Sequence, residues 1–414
     1  MKKLILKTTT LTLLSSSMLF ASGYRIPEQS ASSVALSGAY IANSNGAEAS
    51  YYNPANISFN KNKSDVELDL TYIKLDSIIY TDNRATAYNG KSKSEDFLIP
   101  TLFFSSKNKN NLSYGFSITA PGGLSKRWDD RFPKTSAEEF TLKIIEANPV
   151  VAYQLNPTLS IAGGLRAIYT DGIVKSNGYV DTDGDGVPET QIARDMTGDS
   201  IDYGYNIALA FKPTNKTNLS LTYRSNVNLS IEGNAKLYYN STEQYNGGTN
   251  VTVPLPAVLA ASYAQTFNQT TIELSYDKTY WSEYKNLDFN YATAIANPVL
   301  VAAFDNPKAK NWKDSNAYRI GITHQYTDTL TLMAGFAIDQ TPVPEETLGF
   351  ELPDSDAKIY SFGMKYKLAN AEFKLGYLLD IKDDRTIITN ENKINGTFSN
   401  AKAHLLSFGY KKEF

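Results

Sequence analysis

Few side chains in this sequence could do covalent chemistry. It has no Cys and two His, His324 and His404. That removes thiolate nucleophiles, thiolate metal sites and disulfides, and leaves a His-rich metal centre without ligands. The spacing that does suggest a site is "DTDGDGVPE", Asp181 to Glu189. Asp181, Asp183 and Asp185, with Gly186, copy the start of a calcium loop, where alternating carboxylates converge and glycine permits the turn. The twelfth position calls for Glu and holds Ile192, so Glu189 is the nearby carboxylate that could complete the set. The alternative is a solvated acidic loop. No other cofactor is required. The remaining candidates are cations and apolar residues, and their meaning depends on the elements that carry them.

Those elements read as strands. Past Ser64 the apolar period is two. Val66, Leu68, Leu70 and Tyr72 share one face, and Asp65, Glu67, Asp69 and Thr71 the other. Leu112–Ile118 and Ile201–Phe211 alternate in the same way. A soluble sandwich also alternates. Here the runs reach about nine to thirteen residues, as tilted membrane-spanning strands require. Aromatics such as Tyr72, Tyr169, Tyr223, Tyr326 and Tyr410 fall toward strand ends on the apolar face, where a lipid–water girdle would sit. Connections alternate between short turns ("LNPT", "YTDT", "LANA") and long loops at about 76–95, 121–138, 171–198, 238–251, 282–312, 341–356 and 381–399. The fold class is therefore all-β, a transmembrane antiparallel β-barrel of about fourteen strands over 63–414. A last strand ending in Phe414 resembles the signal that such barrels present to their assembly machinery, although Lys412 stands where an apolar residue is commoner.

The chain opens with Lys2, Lys3 and Lys7, an apolar run from Leu11 to Phe20, and small residues at Ala21, Ser22 and Gly23. This is a secretory signal over 1–21; its apolar run is too short to span a bilayer. Between it and the first strand lies 22–62, which reads as short helices. Asn45 and Glu48 have capping-box spacing, and Pro54 ends the helical pattern at Asn53. The segment is too small to build its own core. A barrel of this width has a lumen that wall side chains alone cannot fill, so the lumen is where this segment is expected to pack.

"SGAYIANSNGAEASYYNPA" resembles the N-terminal hatch of the FadL-type long-chain fatty acid transporters, with Asn53-Pro54-Ala55 at the family's NPA motif and Tyr24 near the hatch N-terminus. "APGGLSKRW", "LTYRSNVNLSIEGNA" and Lys313–Asp356, with its Ala-Tyr-Arg strand and Pro-Val-Pro turn, follow in the family's order. The resemblance implies a passive outer-membrane uptake channel for hydrophobic compounds, long-chain fatty acids first. The hatch would gate it, and a kink in the third strand, about Asn111–Ala120, would give a lateral exit. An aromatic hydrocarbon transporter of the same family, or a general porin, is the alternative.

In that frame, parity places Arg166, Arg224, Arg319 and Lys365 on the inner face, with Lys175 just beyond the fifth strand's exit from the membrane. They are candidates to hold a ligand carboxylate. The other reading pairs them with lumen acids such as Glu273, Asp277 and Glu372. Leu124, Trp128, Phe132 and Phe140 are read as a capture patch or a loop core. His324 falls on the outward face and His404 has no partner motif, so the protein is read as no enzyme. Net charge is −3, which offers nucleic acid nothing. The expected partners are a hydrophobic small molecule or fatty acid, membrane lipid and lipopolysaccharide, around a monomeric barrel.

Overall fold

The computed structural model describes residues 23–60, 63–185 and 187–414. The signal over 1–21 and Gly186 of the acidic loop lie outside the described residues.

Fourteen antiparallel strands close into one barrel. They are β1 Asp65–Leu75, β2 Glu95–Ser105, β3 Leu112–Arg127, β4 Glu139–Asn156, β5 Leu159–Val180 and β6 Thr190–Thr214. Next come β7 Thr217–Arg224, continued as Val227–Tyr239, and β8 Thr242–Leu255, continued as Val258–Phe267. The rest are β9 Thr270–Thr279, β10 Ser315–Gln325, β11 Leu330–Asp339, β12 Ala357–Leu368, β13 Ala371–Lys382 and β14 Lys402–Glu413. Pairing of β14 with β1, from Asp65↔Glu413 to Leu75↔Ala403, closes the ring. Closure gives almost every strand two neighbours, which a wall in hydrocarbon requires.

The alternation is inverted relative to a soluble protein. On β1, Leu68, Leu70 and Tyr72 are exposed while Glu67, Asp69 and Thr71 are buried. The apolar face therefore looks out to lipid and the polar face into the lumen. Further along β1 the buried face becomes apolar, with Ile73 and Leu75. The lumen is thus polar toward the short-turn end and apolar toward the long-loop end.

Several expected loops are strand instead. β5 and β6 pair without interruption from Leu159↔Phe211 to Val180↔Thr190, so the loop expected at 171–198 shrinks to a short turn. The loop expected at 238–251 is a hairpin turning at Asn240-Ser241, both at positive φ. β3 runs on to Arg127, so Leu124 lies on a strand, and Phe140 belongs to β4.

Residues 23–60 fill the lower lumen. Helix α1 (Ala31–Ala35) touches β12, β13 and β14, and the 3-10 turn Pro54–Phe59 touches β4 and β5. Contact with distant strands from one short segment places it across the lumen. Ser30 caps α1 by accepting from Ser33 N. Helix α2 (Ala49–Tyr52) stops at Asn53, whose extended backbone precedes Pro54, and Asn53 Oδ1 accepts from Ala55 N at 3.1 Å. The capping box at Asn45 does not form: Asn45 makes no side-chain cap, and Glu48 turns to Ser32, Tyr40 and Lys374. A buried ammonium outcompetes a local backbone amide for that carboxylate.

β3 parts from β2 within the wall. Their ladder ends at Leu102↔Ile118, and Ala120-Pro121 shifts the register with β4. The strands meet again at Lys93 N to Arg127 O (2.9 Å) and at Ser92↔Trp128. Between these points β3 pairs inward: Pro121 O accepts from Ile26 N at 2.9 Å and Gly123 N donates to Tyr24 O at 2.8 Å. Gln29 clasps Ala120 through both its N–H and its C=O. Gly122 has to be glycine for this approach, since an added Cβ would lie 2.9 Å from Tyr24 O.

Wall glycines seat α1. A Cβ on Gly335 would lie 2.2 Å from the Leu36 carbonyl carbon, and one on Gly376 2.5 Å from Ala31 O. Both clashes are with backbone, which cannot rotate away. Gly335→Val should therefore unseat α1 while the strand ladder still closes. The expected result is a barrel with normal heat-modifiable mobility that leaks small polar solutes in liposome swelling; a tight barrel would refute it.

Candidate functional site

Three carboxylate-centred networks hold the luminal segment. Glu146 on β4 pairs with Arg166 on β5 at 2.9 Å and with Arg224 on β7. Arg166 also donates to Ser225 O at 2.6 Å, and the Arg224 guanidinium lies over the Tyr51 ring at 4.5 Å. Arg319 on β10 meets Asp339 at 3.1 Å and Glu28 at 3.4 Å and donates to Ser37 O at 2.9 Å. Arg25 joins it through Asp277 at 3.2 Å. Lys374 on β13 bridges Glu48 at 2.8 Å and Glu67 at 2.5 Å. Glu273 needs no cation nearby: it accepts the backbone N–H groups of Ile41, Ala42 and Asn43 at 2.6 to 2.9 Å. Asn53 adds a bond to Ser220 Oγ at 2.6 Å, and Ala55 packs on Ala208 and Ala210.

Arg166, Arg224 and Arg319 are therefore engaged with wall and luminal acids. Arg166, Arg224 and Arg319 line no part of the large cavity described next. Lys365 lies 3.5 Å from Tyr40 Oη. Lys175, half-exposed, approaches Glu139 at 3.7 Å and Asp195 at 4.0 Å.

Above the luminal segment lies an apolar chamber of about 830 Å³, its mouth included. Leu124, Phe140 and Leu142 line it from β3 and β4, and Met196, Ile231 and Val253 from β6, β7 and β8. Tyr24 reaches into it from below, its hydroxyl donating to Pro254 O and its ring packed against Trp281 at 4.6 Å and Trp312 at 5.8 Å. Among the described residues, the charged groups lining it are Lys310 and Glu351, paired with each other. Burial alone would push the Glu351 carboxyl up, but the Lys310 ammonium holds it below the usual carboxylate range. The chamber thus presents no net charge.

Of the four aromatic and apolar candidates, Leu124 and Phe140 line the chamber. Trp128 and Phe132 belong to a loop core instead. Trp128 Nε1 donates to Phe350 O at 2.9 Å, and Phe132 packs on Tyr88 and Phe350. Asp181, Asp183, Asp185 and Glu189 are exposed, with one oxygen from each within 4.8 Å of the others. Gly184 N and Val187 N already donate to Asp181 and Asp185 at 2.7 Å.

Sequence reasoning missed Met196, Ile231, Val253, Lys310 and Glu351. Parity would have put Met196 on the same face as Arg194, but reading 171–198 as a loop hid it. Nothing local pairs Lys310 with Glu351, which come from two separate connections.

Comparison with known proteins follows this geometry. The model of the outer membrane protein transport family (OMPP1/FadL/TodX) matches residues 12–414. A long-chain fatty acid transport protein of Salmonella typhi is 25% identical over 314 residues, covering 68% of this chain and 69% of its own. Among solved structures, a Pseudomonas aeruginosa FadL homologue superposes with TM-score 0.83 at 16% identity, covering 94% of this chain and 99% of its own. The toluene transporter TodX of P. putida gives 0.70 at 16% identity, covering 93% and 98%.

The Arg319 network predicts a cost. Arg319→Met leaves Asp339, Asp277 and Glu28 facing one another without their shared cation. Losing one partner of a buried ion pair costs about 3–5 kcal/mol. A matching fall in stability toward urea, followed by gel mobility of the folded barrel, is the expected result. No change in the midpoint would overturn the assignment.

Proposed function

Because the chain belongs to the outer membrane protein transport family OMPP1/FadL/TodX, we propose that it takes up long-chain fatty acids passively, through the chamber and out between β2 and β3. The coarser statement needs no proposal: the protein is an outer-membrane β-barrel transporter of hydrophobic compounds, in a family of transport channels. The finer reading is carried by one observation. The apolar chamber is floored by Tyr24, and the same residue's backbone bonds to β3 where β3 leaves β2.

That contact suggests how the hatch gates. Tyr24 closes the chamber floor, and Tyr24, Ile26 and Gln29 bond to β3 at the gap in the wall. Their withdrawal would connect the two. An apolar ligand would then pass sideways into hydrocarbon without crossing the polar lower lumen, where transfer would be unfavourable. Affinity in the chamber scales with apolar area at about 25 cal/mol per Å², and no reaction is needed.

Fatty acid is placed ahead of hydrocarbon because the curated relative carries that name. The uncharged lining is what favours the second reading, an aromatic hydrocarbon like the toluene named for TodX. A general porin is disfavoured because the luminal segment fills the lower barrel.

The test narrows the chamber. Met196→Trp and Ile231→Trp overfill it, which costs a ligand about 1–3 kcal/mol or excludes it. Uptake of radiolabelled hexadecanoate by cells carrying either variant should fall about tenfold or more, with folded barrel at parent levels. Unaltered uptake would show that the route lies elsewhere.

The proposal extends to a calcium ion in the Asp181–Glu189 loop, held by the four converging carboxylates. Titrating calcium into the folded barrel should release or absorb heat at micromolar to millimolar concentration. Asp183→Ala should abolish it. No heat with the parent protein disposes of the site.

A further inference from the structure

Lys126 belongs to none of the three ion-pair networks. It is fully buried near the top of β3, yet among the described residues no carboxylate lies within ion-pair distance of it. Its ammonium reaches Ser92 Oγ at 3.5 Å. The neighbouring acid, Glu95, is engaged through Oε2, which accepts from Ser125 Oγ at 2.5 Å and from Arg127 at 3.1 Å. Glu95 attracts this ammonium across the strand without bonding to it, and a buried ammonium without a bonded counter-ion is costly, a cost that an arriving anion relieves.

The surroundings supply room for one. Lys126 lines a second, smaller cavity with Lys382, Lys402, Asp76 and Leu75. Three lysines and one aspartate face it, and the aspartate is turned to His404 at 3.6 Å. Lys382 is paired with Asp354. Among the groups that line this cavity, Lys126 is the buried cation without a bonded carboxylate.

This cavity adjoins the apolar chamber. Lys126 follows Leu124 by two residues on β3, and Pro353 follows Leu352 directly; Leu124 and Leu352 line the chamber, Lys126 and Pro353 the smaller cavity. Two residues of extended strand span about 7 Å. A molecule with its tail in the chamber can set a polar head beside Lys126. Lys310 is a poorer host for that head. An anion there must displace Glu351, leaving a second buried carboxylate without its cation.

We propose that Lys126 is the head-group site for a long-chain carboxylate, and that it gives the protein a preference for carboxylated over neutral amphiphiles. The inference rests on the transport reading above and names the residue that sorts its substrates. Lys126 also borders the stretch where β3 stands apart from β2, so the head is held at the edge of the gap through which the tail leaves.

The experiment compares hexadecanoate with its methyl ester, by calorimetry on the purified full-length barrel in detergent. A charge-assisted bond in a buried site predicts that the parent protein binds the acid about ten- to hundredfold more tightly than the ester. In Lys126→Met that ratio should fall to about one, and in Lys126→Arg it should persist. Folding of each variant is read from heat-modifiable mobility. A Lys126→Met barrel that is folded and keeps the parent's ratio overturns the site while leaving the transport reading intact. If Lys126→Met does not fold, the parent decides: equal affinity for acid and ester overturns the site. If the parent binds neither probe, both the site and the fatty acid reading fall.

Discussion

In hydrocarbon a backbone amide without a partner costs several kcal/mol, so a membrane barrel has to pair its wall completely. This wall pairs β14 with β1 and closes, then gives up pairing along the upper part of β2 and β3. The lapse is covered by the luminal segment. Ile26 and Tyr24 bond to Pro121 and Gly123, and Gln29 satisfies Ala120. One consequence is mechanical. Under the proposed gating, withdrawal of the segment's N-terminal residues would expose the edge of β3, so opening the floor of the chamber and opening the wall would be one event. Proline at 121 and glycine at 122 make the departure local: the first has no N–H to lose, and the second lets the plug's backbone come close.

The division of the lumen into a polar lower half and an apolar upper half follows from what each must hold. Below, the segment 23–60 brings backbone groups outside any ladder along with small and aromatic apolar side chains. The wall answers with carboxylates, Glu273 on three N–H groups and Asp69 on Ala31 N at 3.0 Å. Buried ion pairs like those of Glu146 and Arg319 add little net stability over apolar packing, because desolvation takes back most of the Coulomb gain. They do fix one seating of the segment, and each group can be re-solvated if the segment shifts. A plug held by apolar burial alone would be harder to release into a wet channel. Above, where Ile73, Leu75, Leu124 and Met196 face inward, the chamber's charged lining groups, Lys310 and Glu351, satisfy each other, and the space suits an apolar guest.

Most of the wall was legible because its rule is local. Alternation at Leu68, Leu70 and Tyr72 against Glu67, Asp69 and Thr71 needs no distant partner, and parity put Arg166, Arg224 and Arg319 inward. The upper wall was not legible. Segments 171–198 and 238–251 are rich in Gly, Thr and Asn and read as loops. Their glycines in fact let strands approach: a Cβ on Gly198 would lie 2.7 Å from Glu232 O. The chamber sits against that misread wall, which is why its lining escaped. Glu48 failed for the opposite reason. A window around Asn45 sees a capping box, but the residue that claims Glu48 is Lys374, more than three hundred positions later. Such competition is settled by the closed barrel, not by neighbours in sequence.

The proposed route would need no energy source, its direction being set by the ligand's own gradient. Burying apolar area in the chamber or in the bilayer gains about the same 25 cal/mol per Å², so moving a tail from one to the other is nearly neutral. The barrier lies in whatever polar surface the tail must cross between them. Here the crossing is short, since Tyr24 and Leu124 belong both to the chamber lining and to the segments that meet at the gap. A chamber that bound much more tightly than lipid would trap its guest, and one that bound more weakly would never fill from water. An uncharged lining, with Lys310 already matched by Glu351, keeps the tail's affinity near that of hydrocarbon and leaves discrimination to the groups around the rim.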